Sequence, residues 1–227
     1  MCGRFVLIAT VEELVEKFRI AESQKFEGRY NITPGQNVAA VRQTDGARKL
    51  DSLRWGLVPS WSKDSKIGSR MINARAETIG EKPSFRAPFK KKRCIVPASG
   101  FYEWAHNGKD KRPHYIRFRN GEPFGIAALW DEWKGEGGVI ESCVLITTSA
   151  NTLISSLHDR MPVILPPENY DAWLDPEFNG KEILKTLLRP HPESEMEAFE
   201  VSKEVNNPKN ENPELIKPLT TKDTEEI

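Results

Sequence analysis

The stretch CIVPASGFYEW, residues 94–104, is one of seven short apolar runs that turn signals separate along the chain. The others are NVAAVRQ (37–43), KLDSLRWGLVP (49–59), HYIRFRN (114–120), FGIAALWDEW (124–133), VIESCVLITTSA (139–150) and MPVILPP (161–167). Between them stand TDG (44–46), HNGKD (106–110), RNGEP (119–123) and KGEGG (134–138). Runs this short, bounded by Gly, Asn, Asp and Pro, read as strands, several of them joined as hairpins. They predict a mainly antiparallel, barrel-like sheet.

Helical patterning is sparse. TVEELVEKF (10–18) offers Thr10 as N-cap, Glu13 three residues on, and Val11, Leu14, Val15 and Phe18 on one face, after a strand at GRFVLIA (3–9). Further helical patterns fall at NTLISSLH (151–158), PENYDAWL (167–174) and GKEILKTLL (180–188). The class is therefore α+β with a few short helices. With 227 residues, 38% of them hydrophobic, the chain can bury one sizeable core, read here as a single domain over residues 1–219. The polar end TTKDTEEI (220–227) reads as a disordered tail.

No apolar run approaches the ~20 residues of a membrane span, and no signal-like pattern opens the chain. The expectation is a soluble, cytoplasmic protein. Its formal net charge of zero hides an asymmetry: residues 1–160 carry 26 Lys and Arg against 18 Asp and Glu, and the remainder 7 against 15. A basic body suits a polyanion. Charge alone is explained more simply by a solvated surface with an acidic C-terminal third.

Cys2, Cys94 and Cys143 are an odd number without CxxC spacing, which predicts neither a disulfide framework nor a metal site. Cys2 becomes the terminus if Met1 is removed, and would then carry an α-amine titrating near ~7.7–8.0 beside a thiol titrating near ~8.5. Such a 1,2-aminothiol condenses with aldehydes to a thiazolidine. The plainer reading is that a small second residue merely permits Met1 removal, and MCG also begins N-terminal-nucleophile amidotransferases.

Four other stretches carry candidate chemistry. If MINARAET (71–78) is extended, Asn73, Arg75 and Glu77 share its polar side, where Arg75 could hold a phosphate, or the strand is simply half-solvated. In GFYEW (100–104), Glu103 stands among Phe101, Tyr102 and Trp104; rings around a carboxyl raise its pKa, making it the best general acid or base, unless it is an ordinary strand glutamate. SLHDRMPVIL (156–165) sets His158 and Arg160 two apart, a proton carrier and a second phosphate ligand, although a lone histidine more often serves structure. Trp61 lies in a polar loop where a ring could stack on a base or simply pack. KKKR (90–93) reads as a solvated basic patch.

Taken in order, MCGRF, YNITPGQ, RWGLVPSW, MINARAET, RCIVPASGFYEW and LHDRMPVIL resemble the SOS response-associated peptidase family of abasic-site-processing proteins, over nearly the whole chain. The resemblance implies a protein of the DNA damage response that binds single-stranded DNA. It implies covalent capture of abasic sites through the mature Cys2 as a thiazolidine, together with autocatalytic removal of Met1. It also implies roles: Cys2 as nucleophile, Asn73 positioning the terminus and substrate, and Glu103 and His158 moving protons in a lyase-like sequence. Gly3, Arg4, Arg75 and Arg160 would hold the DNA backbone, with Pro34, Trp61 and Thr147 shaping the channel. A monomer without cofactor or metal is expected, nucleoid-associated when on DNA. Two rivals stand beside this reading. An amidotransferase would leave Glu103 and His158 without a role and lacks room for a second domain, and a noncatalytic strand-binding module would leave Cys2 replaceable.

Overall fold

The computed structural model describes residues 2–23, 26–107 and 110–219, so the tail expected at 220–227 lies outside the described residues. The chain opens with strand β1 (Phe5–Leu7), helix α1 (Val11–Phe18), then β2 (Glu22–Ser23), β3 (Arg29–Ile32), β4 (Asn37–Thr44) and β5 (Ala47–Trp55). After a long connection come β6 (Asn73–Arg75), α2 (Pro83–Lys91), β7 (Arg93–Ala98), β8 (Gly100–Asn107) and β9 (Asp110–Phe118). The hairpin β10 (Phe124–Gly135) and β11 (Gly138–Ser149) leads to α3 (Thr152–Ser155), β12 (Arg160–Pro162) and β13 (Ile164–Leu165). Helices α4 (Tyr170–Leu174) and α5 (Lys181–Thr186) precede the last strand, β14 (Met196–Glu200).

The mixed α+β class with a barrel at its centre is what the run-and-turn pattern predicts. Strands β5, β4, β7, β10 and β11 pair in that order, and β11 returns to pair with β5, closing a ring of five. Neighbours that alternate direction can close only in even numbers, so an odd ring must contain one parallel pair. Here it is the β5–β11 seam, where Ser142 meets Arg54 and Cys143 meets Trp55. A second sheet of five strands runs β14, β9, β8, β1, β3, and only Ser99 separates β7 of the first sheet from β8 of the second.

Local chemistry explains the elements. The TDG signal forms a two-residue hairpin in which Asp45 and Gly46 both take positive φ, 53° and 77°, the twist that β4 and β5 need. The expected box at α1 is present: Thr10 Oγ1 accepts from Glu13 N at 3.2 Å and Glu13 Oε2 accepts from Thr10 N at 2.6 Å. Strand β7 is buried at all six positions because it is central in the ring and covered outside by α2 and α4, where Phe89 and Trp173 lie 6.2 Å apart.

Two readings need correction. The basic run 90–93 is not uniformly solvated, since Arg93 is 3% exposed and opens β7. Its guanidinium donates to the carbonyls of Trp173 at 2.6 Å and Phe89 at 2.8 Å, and also to those of Lys90 and Asp175, satisfying the C-terminal ends of α2 and α4. MINARAET is extended only over Asn73–Arg75 and then turns into a 3-10 helix at Ala76–Thr78, so Glu77 leaves the strand face. Helix α2 carries Pro88 in its interior, which masked it in the sequence.

Candidate active site

Cys2 lies at the meeting of the two sheets and is fully buried. The hydrogen bond from Tyr102 N to Arg4 O, 2.9 Å, extends the β1–β8 ladder toward the chain's start and draws residues 2 and 3 against the segment that carries Glu103. From the other side β6 runs parallel to β11, with Asn73 opposite Leu145 and Arg75 opposite Thr147. Asn73 Nδ2 donates to the carbonyl of Cys2 at 2.8 Å, while its Oδ1 is buried with no hydrogen-bond donor among the described residues. That oxygen points to where an N–H or hydroxyl would be welcome.

Glu103 is 3% exposed. Burial pushes its carboxyl up to about 7, and the Asp159 carboxylate adds to the rise. The sequence attributed such a shift to the adjacent rings, but strand alternation sends Tyr102 and Trp104 to the opposite face, where they pack with Tyr115, Val201 and Val205. Burial of the Cys2 thiol raises its pKa far above its ordinary value and the Glu103 charge raises it further, against a hydrogen bond from the Arg4 backbone. The resting sulfur is therefore a thiol, facing a carboxyl that is poised to change protonation near neutrality. His158 sits on the turn that carries Asp159: its Nδ1 accepts from Arg160 N at 3.0 Å and lies 2.8 Å from Asp159 Oδ1.

Arg160 and Arg75 both lie beside Thr147. Arg160 Nη1 and Nη2 grip Glu77 Oε1 and Oε2 at 2.7 and 2.9 Å, and Nη2 also donates to Thr147 O at 2.6 Å. Thr147 is buried, with Oγ1 3.5 Å from Ala74 O, whereas Arg75 is exposed. Among the described residues no group of His, Cys, Asp and Glu is arranged to hold a metal ion, and no helix is long and apolar enough to cross a membrane.

The family model described as SOS response associated peptidase (SRAP) matches residues 1–208. The chain belongs to this family. Among its relatives, the abasic site processing protein YoqW of Bacillus subtilis is 45% identical over 221 residues, 95% of this chain and 99% of that one. The abasic site processing protein YedK of Escherichia coli is 32% identical over 226 residues, covering 96% of this chain and all of that protein. An X-ray structure of a protein from Bacteroides thetaiotaomicron superposes with a TM-score of 0.86 at 29% identity, covering 96% of this chain and 100% of that one.

Within this SRAP chain the remaining candidates are spread more widely. Gly3 is half-buried between Cys2 and Arg4. Arg4 turns away from the thiol: Nη1 donates to Asn31 Oδ1 at 2.6 Å and to Val205 O at 2.7 Å, and the guanidinium lies 5.8 Å from the Trp104 ring. Pro34 precedes Gly35, whose φ of 87° completes a turn pinned by Gly35 N to Trp55 O at 2.8 Å. Trp61 is 59% exposed, on a loop held by Ser60 N to Asp131 Oδ2 at 2.8 Å and Trp133 Nε1 to Ser62 O at 2.7 Å. The sequence reading passed over Asn31 and Asp159, and gave Glu77 no part; their partners lie in distant segments or a neighbouring turn, and only the MINARAET and LHDR motifs hinted at the last two.

Proposed function

We propose that the protein binds single-stranded DNA and captures abasic sites through Cys2 once Met1 has been hydrolysed away. The observation that carries this reading is the Asn73 hydrogen bond to Cys2, which holds the first residues beside a buried carboxyl titrating near 7. The family membership and the names of the relatives support the same reading. Hydrolysis of the Met1–Cys2 bond consumes one water, releases methionine and frees the amine that the chemistry needs. A peptide nitrogen cannot supply it, because its lone pair is delocalised into the carbonyl.

Protonated Glu103 gives its proton to the sugar ring oxygen as the hemiacetal opens, and a proton returns to it from the anomeric hydroxyl, through His158 where the distance requires it. The neutral Cys2 amine adds to the aldehyde carbon, and the carbinolamine, protonated by Glu103, loses water to give a Schiff base. The Schiff base keeps its nitrogen proton, so carboxylate Glu103 accepts the thiol proton as sulfur adds to the same carbon and the C=N electron pair returns to nitrogen. One aldehyde and one aminothiol become one thiazolidine and one water, with no change of oxidation state. A carboxyl near half-ionisation at neutral pH suits both directions of transfer.

Incubation with a uracil-containing strand pretreated with uracil glycosylase, followed by a denaturing gel and intact mass, tests the reading. The expected product resists denaturation without borohydride and weighs the sum of processed protein and abasic strand less one water. Cys2→Ala, or a variant that retains Met1, should give none. An equal yield from Cys2→Ala would sink the mechanism.

A further inference from the structure

Arg160 and Glu77 are unequally buried: the arginine side chain is 11% exposed and the glutamate 52%. The carboxylate spans both Nη atoms at 2.7 and 2.9 Å, as two oxygens of a phosphate would, and Thr147 O occupies a further N–H of Nη2 at 2.6 Å. Nε is buried with no acceptor among the described residues. No bidentate phosphate can therefore reach this guanidinium through its Nη pair while Glu77 holds it. Glu77 can swing into water, but Arg160 is fixed by Thr147. Hydrogen bonds from Arg160 hold the Glu77 carboxyl below its ordinary value, and the charge of Arg75 contributes, so the glutamate answers to both candidate phosphate ligands.

We propose that Glu77 is a specificity-determining residue, an internal stand-in for phosphate that occupies Arg160 until a DNA strand displaces it. This rests on the reading of the site as one for single-stranded DNA. Every strand must undo the Arg160–Glu77 pair to dock, which weakens the noncovalent hold on intact DNA. An abasic strand is retained all the same, because the covalent bond outlasts docking. Glu77 thereby widens the difference in residence between damaged and intact strands.

The test is fluorescence anisotropy of a labelled, undamaged oligothymidine with Glu77→Gln, which keeps size but removes the charge. Binding should become roughly fivefold tighter, the upper size of one partly exposed ion pair. Exposed Glu81, neutralised as Glu81→Gln, makes the same change in net charge away from Arg160 and should give less than a twofold change. In an Arg160→Gln background the gain from Glu77→Gln should vanish. Thermal melting checks folding, and Glu77→Ser provides a second way to remove the carboxylate should the first variant misfold. If wild type binds and neither Glu77 variant binds tighter, or the gain persists without Arg160, the proposal is wrong. If wild type does not bind the strand at all, the DNA reading itself fails and this inference falls with it.

Discussion

Asn73 and Cys2 are 71 positions apart in sequence and are joined by a 2.8 Å hydrogen bond from the asparagine amide to the cysteine carbonyl. The bond engages only the Cys2 carbonyl, so it fixes the backbone without occupying the thiol or the amine that removal of Met1 would expose. Asn73→Ala should therefore slow single-turnover crosslinking by about 10- to 100-fold, the penalty for a misplaced nucleophile, with little change in affinity for an undamaged strand. Rapid-quench crosslinking alongside anisotropy separates the two; equal losses in both would make Asn73 a binding residue.

In the proposed mechanism Glu103 moves the protons. Glu103→Gln keeps its shape but removes the exchangeable proton, so crosslinking or its reversal should slow by about 10²-fold, the low end of general acid and base contributions. The wild-type rate should change with pH around an inflection near 7, set by burial of this carboxyl, and the variant should lack that inflection. An unchanged pH profile in Glu103→Gln would move the acid and base role to His158.

The same carboxyl couples folding to pH. Its folded pKa, about 7, lies above the ordinary 4.5, so the native state holds a proton that the unfolded chain releases. The associated stability is fully present below pH 4.5 and is lost as pH rises through about 7, a change on the order of a few kcal/mol. Urea titrations between pH 4.5 and 8 should show wild type falling relative to Glu103→Gln. Parallel curves for the two proteins would contradict the assignment of a buried, shifted carboxyl.

Arg75 is exposed opposite Thr147, where it can meet a phosphate directly. Arg75→Ala should weaken binding to undamaged strands of any sequence alike and reduce the slope of log K against log salt by about 1. Affinity measured across a salt series checks this. A loss confined to particular sequences would point to base contact instead.

What could be read from the sequence was local. Thr10 with Glu13, and Asp45 with Gly46, announce a helix start and a hairpin because each motif satisfies its own neighbours. Cys2, Asn73 and Glu103 were singled out from their own motifs and given roles by the family resemblance, and the structure brings them together. Arg93 was read as part of a solvated patch, and neither KKKR nor MCGRF shows that backbone carbonyls of residues 173 and 205 accept from Arg93 and Arg4. Partners of that kind are set by tertiary packing and leave no spacing to detect. Helix α2 was missed for the opposite reason: Pro88 is a local signal against a helix that packing overrides.

The Arg4 contact also ties an early segment of the chain to a much later one. Arg4 reaches Val205 O, and Asn31, its neighbour in that contact, donates to the carbonyls of Asn207 and Asn210 at 3.0 and 2.9 Å. Arg4 is thus clasped by a segment that lies 201 positions downstream in the chain. A chain still on the ribosome cannot close this clasp until residue 210 has emerged, so the surroundings proposed for the Cys2 chemistry are completed late.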